Sequence, residues 1–214
     1  MHATTTRPRA DRGRRARTAD RRRVILRAAL DLFAERGLAR TSVDDIRAAS
    51  GASVGSIYHH FGSKEGVAAA LYAEAIADYQ EGARAVIESA PDAEAGIRGT
   101  VTHFLEWIGQ HPAQAGLMLD GQYSDVRRLA ADEVGALNRD YFLARRRWAD
   151  DRIAAGELRP VPADVFVWAV LGPAWRFATL WLRGRTTTTL DEAARHFSDL
   201  AWSGVGDPGP GGEG

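Results

Sequence analysis

The stretch Thr41-Ser42-Val43-Asp44-Asp45-Ile46-Arg47-Ala48-Ala49-Ser50-Gly51-Ala52-Ser53-Val54-Gly55-Ser56-Ile57-Tyr58-His59-His60-Phe61-Gly62-Ser63-Lys64-Glu65 decides how the chain folds. Thr41 followed three residues on by Asp44 resembles a capping box, so a helix is expected to open there and run to about Ser50. Gly51 supplies a turn and Ser53 a fresh N-cap, which predicts a second short helix over residues 53–60 with Ile57 and Phe61 turned inward. Ser63 then caps a longer helix to about residue 89. Two short helices joined by a tight glycine turn, the second polar on its outer face, have the arithmetic of a helix-turn-helix.

Working outward, Val24, Ala28, Leu32 and Phe33 predict an amphipathic helix over residues 20–36, stopped at Gly37. Beyond the quoted stretch, helical spacing predicts elements over about 92–110, 112–120, 125–155, 162–183 and 190–203. No alternating β-branched run or hairpin signal suggests a sheet. The expected fold is all-α, with about nine helices. A helix-turn-helix domain over 20–66 is followed by a helical effector-binding and dimerisation domain over 67–203. An arginine-rich arm (1–19) and a Gly/Pro tail (204–214) are expected to be disordered.

The 214 residues are 45% hydrophobic and 26% charged, a composition that can bury a core. With no cysteine, a disulfide framework, a thiolate zinc site and a cysteine nucleophile are excluded. The opening twenty residues lack the apolar core of a signal peptide, which fits a cytoplasmic protein. Residues 165–182 are apolar, but Pro173 and the internal Arg176 argue for a buried or interface helix rather than a membrane span. The net charge of zero hides an asymmetry: residues 1–66 carry 14 Lys/Arg against 7 Asp/Glu, and the rest carry 14 against 21. A basic N-terminal third attached to an acidic remainder fits an end that meets a polyanion.

The quoted residues, from Thr41 through the Ser53-to-Phe61 helix to Ser63-Lys64-Glu65, resemble the DNA-binding signature of TetR/AcrR-type transcriptional regulators. The match runs from Val24 to Val67; Ala52 stands where valine is commoner, and the remainder agrees only in helix number and length. Read physically, the short side chains of Ser53, Gly55 and Ser56, with Val54 between them, let the helix edge approach a major groove closely. Tyr58 offers a ring to a thymine methyl and a hydroxyl to a phosphate, and His59 can donate to either. His60 and Phe61 are assigned mainly to packing. Thr41 and Ser42 suit phosphate contact, although capping alone also accounts for them. Lys64, the sole lysine, opposes the dipole of the helix it opens, and a phosphate at that helix end compensates it. The arginine arm fits either an adjacent minor groove or a solvated tail.

The resemblance implies a ligand-responsive regulator, a repressor that binds a palindromic double-stranded operator as a homodimer. Trp168, Trp175, Trp181, Phe197 and Trp202 make residues 162–203 the expected dimer interface. His103, Phe104, Trp107, Met118, Tyr123, Tyr141, Trp148 and Trp175 recur on the middle helices and are the candidate lining for a small hydrophobic or aromatic effector. Gln114 and Arg176 are further polar handles. Effector binding is then expected to move the helix that follows the recognition helix. The six histidines show no metal-ligand spacing, and no nucleophile elbow or phosphate loop occurs. No enzyme activity, cofactor, metal or membrane partner is therefore expected. The competing reading is an all-helical small-molecule-binding protein or enzyme without a DNA-binding role.

Overall fold

The computed structural model describes residues 9–119 and 124–207. Among them the elements are α1 (Arg9–Arg36), α2 (Val43–Ser50), α3 (Val54–Phe61), α4 (Lys64–Ser89), α5 (Ala93–Gln110), α6 (Pro112–Leu119), α7 (Ser124–Leu129), α8 (Ala131–Ala154), α9 (Ala163–Trp181) and α10 (Leu190–Val205). No strand forms among the described residues, although an isolated antiparallel bridge joins Leu158 to Gly206.

Ten helices stand where nine are expected, because the segment over 125–155 divides at Ala130. The apolar spacing Val126, Ala130, Val134 continues across the break, so periodicity alone does not reveal it. Val126, Ala130 and Val134, on both sides of the break, pack into the N-terminal core, and further along α8 Tyr141 and Ala149 pack into the C-terminal one. Helix α1 begins at Arg9 rather than Asp20, in keeping with the good helix propensity of arginine. Its buried face holds Ile25, Leu26, Ala29, Leu30, Leu32 and Phe33, while Val24 is 48% exposed, so the stripe is turned by one residue from expectation.

Helix α9 runs continuously through Pro173. At the other end, α10 persists to Val205 and Gly206 is buried, so order extends past residue 204. Two backbone bonds hold it: Arg159 N–H donates to the Val205 carbonyl at 2.9 Å, and Asp207 N–H donates to that of Glu157 at 3.0 Å. The rest of the expected arm and tail lies outside the described residues.

Two apolar cores result. One gathers α1, α2, α3 and the start of α4 around Ile25, Ile46, Ile57 and Val67; α6, α7 and α8 add Leu117, Val126 and Val134 to it. The other gathers the rest of α4 with α5, α6, α8, α9 and α10 around Phe104, Leu105, Ile108 and Val170. Helix α4 threads both, burying Val67 to Ala73 in the first and Ala75 to Ala83 in the second. It is thus the continuous element shared by the two cores. No described helix is long and apolar enough to cross a membrane.

Candidate nucleic-acid interface

The helix-turn-helix is fixed by local chemistry. Ser42, one residue after the expected position, caps α2: its hydroxyl accepts from the Asp45 N–H at 3.1 Å, and the Asp45 carboxylate accepts from the Ser42 N–H at 2.8 Å. The Ser42 side-chain bond, then the backbone one, holds the Asp45 carboxyl below its usual range. Gly51 ends α2 in the left-handed region at φ 64°, its N–H donating to the Arg47 carbonyl at 3.0 Å. Ser53 caps α3 by accepting from the Ser56 N–H at 3.1 Å. The amides of Val54 and Gly55 at the helix start consequently lack intrahelical acceptors.

Ile57 is fully buried and clamps α3 to the core, so the opposite edge must face outward. Ser53, Val54, Gly55, Tyr58 and His59 are all exposed, with Tyr58 at 51%, and Ser56 is half-buried. Gly55 is informative. A Cβ built there meets nothing within 4 Å, so no internal contact requires glycine, and a helical glycine costs about 0.5–1 kcal/mol relative to alanine. This edge is left bare.

Two of the expected contact residues are used differently. Thr41 is 2% exposed, and its hydroxyl donates to the Gly37 carbonyl at 2.9 Å, which closes the end of α1. Lys64 reaches back to donate from Nζ to the Leu38 carbonyl at 2.8 Å, with Glu65 at 3.9 Å. The compensation expected from a phosphate is therefore provided first by this loop: a carbonyl and a carboxylate hold the ammonium, and Lys64 ties α4 to the α1–α2 connection. Ser42, Tyr58 and Lys64 nevertheless border one shallow depression of about 420 Å³, with Arg40 on its rim.

Sequence reasoning missed Gly66. A Cβ there meets the Phe61 carbonyl oxygen at 1.9 Å; the end of α3 presses on the first turn of α4, and only glycine permits it. Arg22 reinforces the junction by pairing with Glu74 on α4 and lying 5.6 Å over the Phe61 ring. A glycine next to the Lys64-Glu65 pair is a faint signal, since its cause lies in a neighbouring helix.

The expected effector residues do converge, but as packing. Phe104, Trp107, Met118 and Tyr141 are buried in one cluster, Trp148 and Trp175 pack half-buried against it, and His103 is half-buried beside its Tyr79. Tyr79 stacks on His103 at 5.5 Å and meets Phe104 and Trp107 edge-on, while Phe104 stacks on Trp175 at 5.8 Å. Gly82 and Gly96 admit the His103 and Trp148 rings, leaving no space for a Cβ. These aromatics pack largely against one another. Tyr123 lies outside the described residues. Room appears instead beside them: Tyr141 and Trp148 border a groove of about 280 Å³ between α4 and α8, and Trp107 and Gln114 one of about 380 Å³ under α1.

Among expected interface aromatics, Trp168 is 64% exposed, with Val165 and Leu200 also bare; Trp175, Trp181, Phe197 and Trp202 pack partly into the protomer core.

The family model described as bacterial regulatory proteins, tetR family, matches residues 25–71. The chain is 29% identical over 196 residues to the HTH-type transcriptional repressor KstR2 of Rhodococcus jostii, covering 88% of this chain and 92% of that one. Over 70 residues it is 47% identical to the HTH-type transcriptional repressor Rv3405c of Mycobacterium tuberculosis, 31% of this chain and 36% of that one. The crystal structure of the TetR-family transcriptional regulator PfmR from Thermus thermophilus superposes with a TM-score of 0.66 at 27% identity, over 84% of this chain and 97% of the other. With the bare α3 edge and the capped turn before it, these likenesses make residues 25–71 a DNA-binding helix-turn-helix of the tetR type and the chain a DNA-binding transcriptional regulator rather than an enzyme.

Proposed function

We propose that the chain is a repressor that binds an inverted-repeat operator as a homodimer in the cytoplasm and leaves it when a small apolar effector enters the helical domain. The observation that carries this reading is the α3 edge from Ser53 to His59, exposed, built of small residues and backed by the buried Ile57. Such an edge lets backbone amides and short side chains reach phosphates and base edges together. A single helix-turn-helix contacts only a half-site, so the second copy supplies the other. The bare Val165, Trp168 and Leu200 on α9 and α10 support pairing through residues 162–203. In this reading Ser42, Ser53, Val54, Gly55, Ser56, Tyr58 and His59 meet the DNA, and Lys64 and Thr41 hold the loop that presents Ser42.

Helix α4 connects effector to DNA. It enters both cores, and Gly66 transmits its position to α3 without slack. An effector acts by preferring the arrangement that DNA does not, typically by about 1–3 kcal/mol of coupling. Selecting genomic fragments on the purified protein tests the reading. Recovered fragments are expected to share an inverted repeat, and affinity to fall steeply between low and physiological salt as phosphate counterions are released. Recovery of fragments without a common repeat, or salt-independent binding, defeats it.

A further inference from the structure

Helices α8 and α9 stand apart and leave an open groove of about 540 Å³, within the range of about 300–1,000 Å³ usual for small-molecule sites. Its floor is apolar, made by Phe142, Ala149, Ile153, Phe166 and Val167. Phe142 is 47% exposed, a bareness that no packing within the chain explains. Its charged lining is of two kinds. Arg146 is paired with Asp150 at 2.9 Å. Arg139 and Arg145 also line the groove, and among the described residues neither is paired with a carboxylate. Arg145 donates instead to the Tyr141 hydroxyl at 3.0 Å.

We infer that this groove binds a small molecule with an apolar body and one anionic head, the head held by Arg139 and Arg145 and the body laid on Phe142, Phe166 and Val167. Two unpaired guanidiniums beside an apolar floor are complementary to that chemistry, because a guanidinium pairs strongly with an oxyanion where water is partly excluded. The same residues reach α4. Asn138, also in the groove, accepts from Gln80 of α4 at 2.7 Å, and Gln80 is 6% exposed. Beside Tyr141 lies the fully buried hydroxyl of Tyr79 on α4, and the two phenols are close enough to interact. An anion that draws Arg145 away from Tyr141 therefore changes the polar contacts that fasten α4 to α8. The inference rests on the effector-controlled reading above and supplies its site and ligand class.

The test uses two fluorescent probes with the same apolar body, the anion 8-anilinonaphthalene-1-sulfonate and the uncharged N-phenyl-1-naphthylamine, titrated into the purified protein. The anion is expected to bind about tenfold more tightly or better, a preference lost in the Arg139→Gln/Arg145→Gln pair while the uncharged probe is unaffected. Arg139→Gln alone, a change at an exposed side chain, is expected to lose part of the preference. Phe142→Glu should abolish binding of both probes without changing the oligomeric state. Equal affinity for the two probes, or a preference that survives the double substitution, overturns the inference. So does Phe142→Glu yielding a monomer that still binds the anion, for then the groove is a face between copies. If the anion binds as described but operator affinity is untouched, the site stands and effector control falls. If operator binding is intact and neither probe binds, the site falls alone.

Discussion

Tyr58 and Lys64 border the same depression, yet burial separates their roles. The Tyr58 ring is half in solvent, whereas the Lys64 ammonium is held on the Leu38 carbonyl and its side chain is 19% exposed. Tyr58→Phe is therefore expected to weaken operator binding without moving the melting temperature. Lys64→Ala should lower both, by about 1–3 kcal/mol in stability for a lost charged hydrogen bond; anisotropy and thermal melts on the two variants separate the cases, and an unshifted melt for Lys64→Ala removes its strut role. Two glycines give an opposite pair. Gly66→Ala places a Cβ 1.9 Å from the Phe61 carbonyl and should destabilise by about 1–3 kcal/mol or more. Gly55→Ala has open space around it and should stabilise the helix by about 0.5–1 kcal/mol while lowering DNA affinity, since a methyl holds the edge off the groove. Unchanged affinity in Gly55→Ala counts against close approach at this edge.

Among the elements, α4 and α8 are fastened by polar side chains within an otherwise apolar core. Burial, and after it the neighbouring Tyr141, pushes the Tyr79 phenol well above its usual pKa, so it stays neutral and a potential donor at any physiological pH. Asn138→Ala leaves the Gln80 amide buried and unpaired, at a cost of about 1–3 kcal/mol. Operator binding without effector should persist in this variant, with a smaller response to an anion in the groove, measured as the ratio of operator affinities with and without it. An undiminished ratio excludes the Gln80–Asn138 bond as the connection. Neither residue stands out in the sequence, because an amide on a long polar helix reads as solvated. Only the crossing of α4 and α8 makes the two a pair.

For the molecule as a whole, assembly and acid stability are the measurable properties. Trp168→Glu places a charge on the barest part of α9 and is expected to yield a folded monomer by sedimentation that binds the operator at least about tenfold more weakly, because only one half-site is held at a time; a dimer that survives this change moves the interface elsewhere. Glu157 joins three segments, accepting from the Ala93 N–H at 2.7 Å and from Arg152 at 2.9 Å, and these bonds hold its carboxyl below the usual range. Asp45 and Glu192, each in a capping box, are lowered likewise. With folded values below unfolded ones, their contribution is complete at neutral pH. It is lost as pH falls from about 4 through the lower folded values. Melting temperature is expected to be flat from about pH 7 to 5 and to drop below about pH 4, more gently in Glu157→Gln.

Caps, glycine turns and 3.6-residue periodicity act within a few residues of their cause, so the all-helical fold, the capped turn at Gly51 and the small-residue edge at 53–59 are legible in the chain alone. Long-range packing sets the rest: Thr41 is buried, Lys64 binds a carbonyl, the helix over 125–155 divides at Ala130 and serves two cores, and most of the middle-helix aromatics pack against one another while a groove opens between α8 and α9. Each of those outcomes depends on which distant surfaces meet, and aromatic or basic side chains suit a core, a strut or a site equally well until that meeting fixes what they touch.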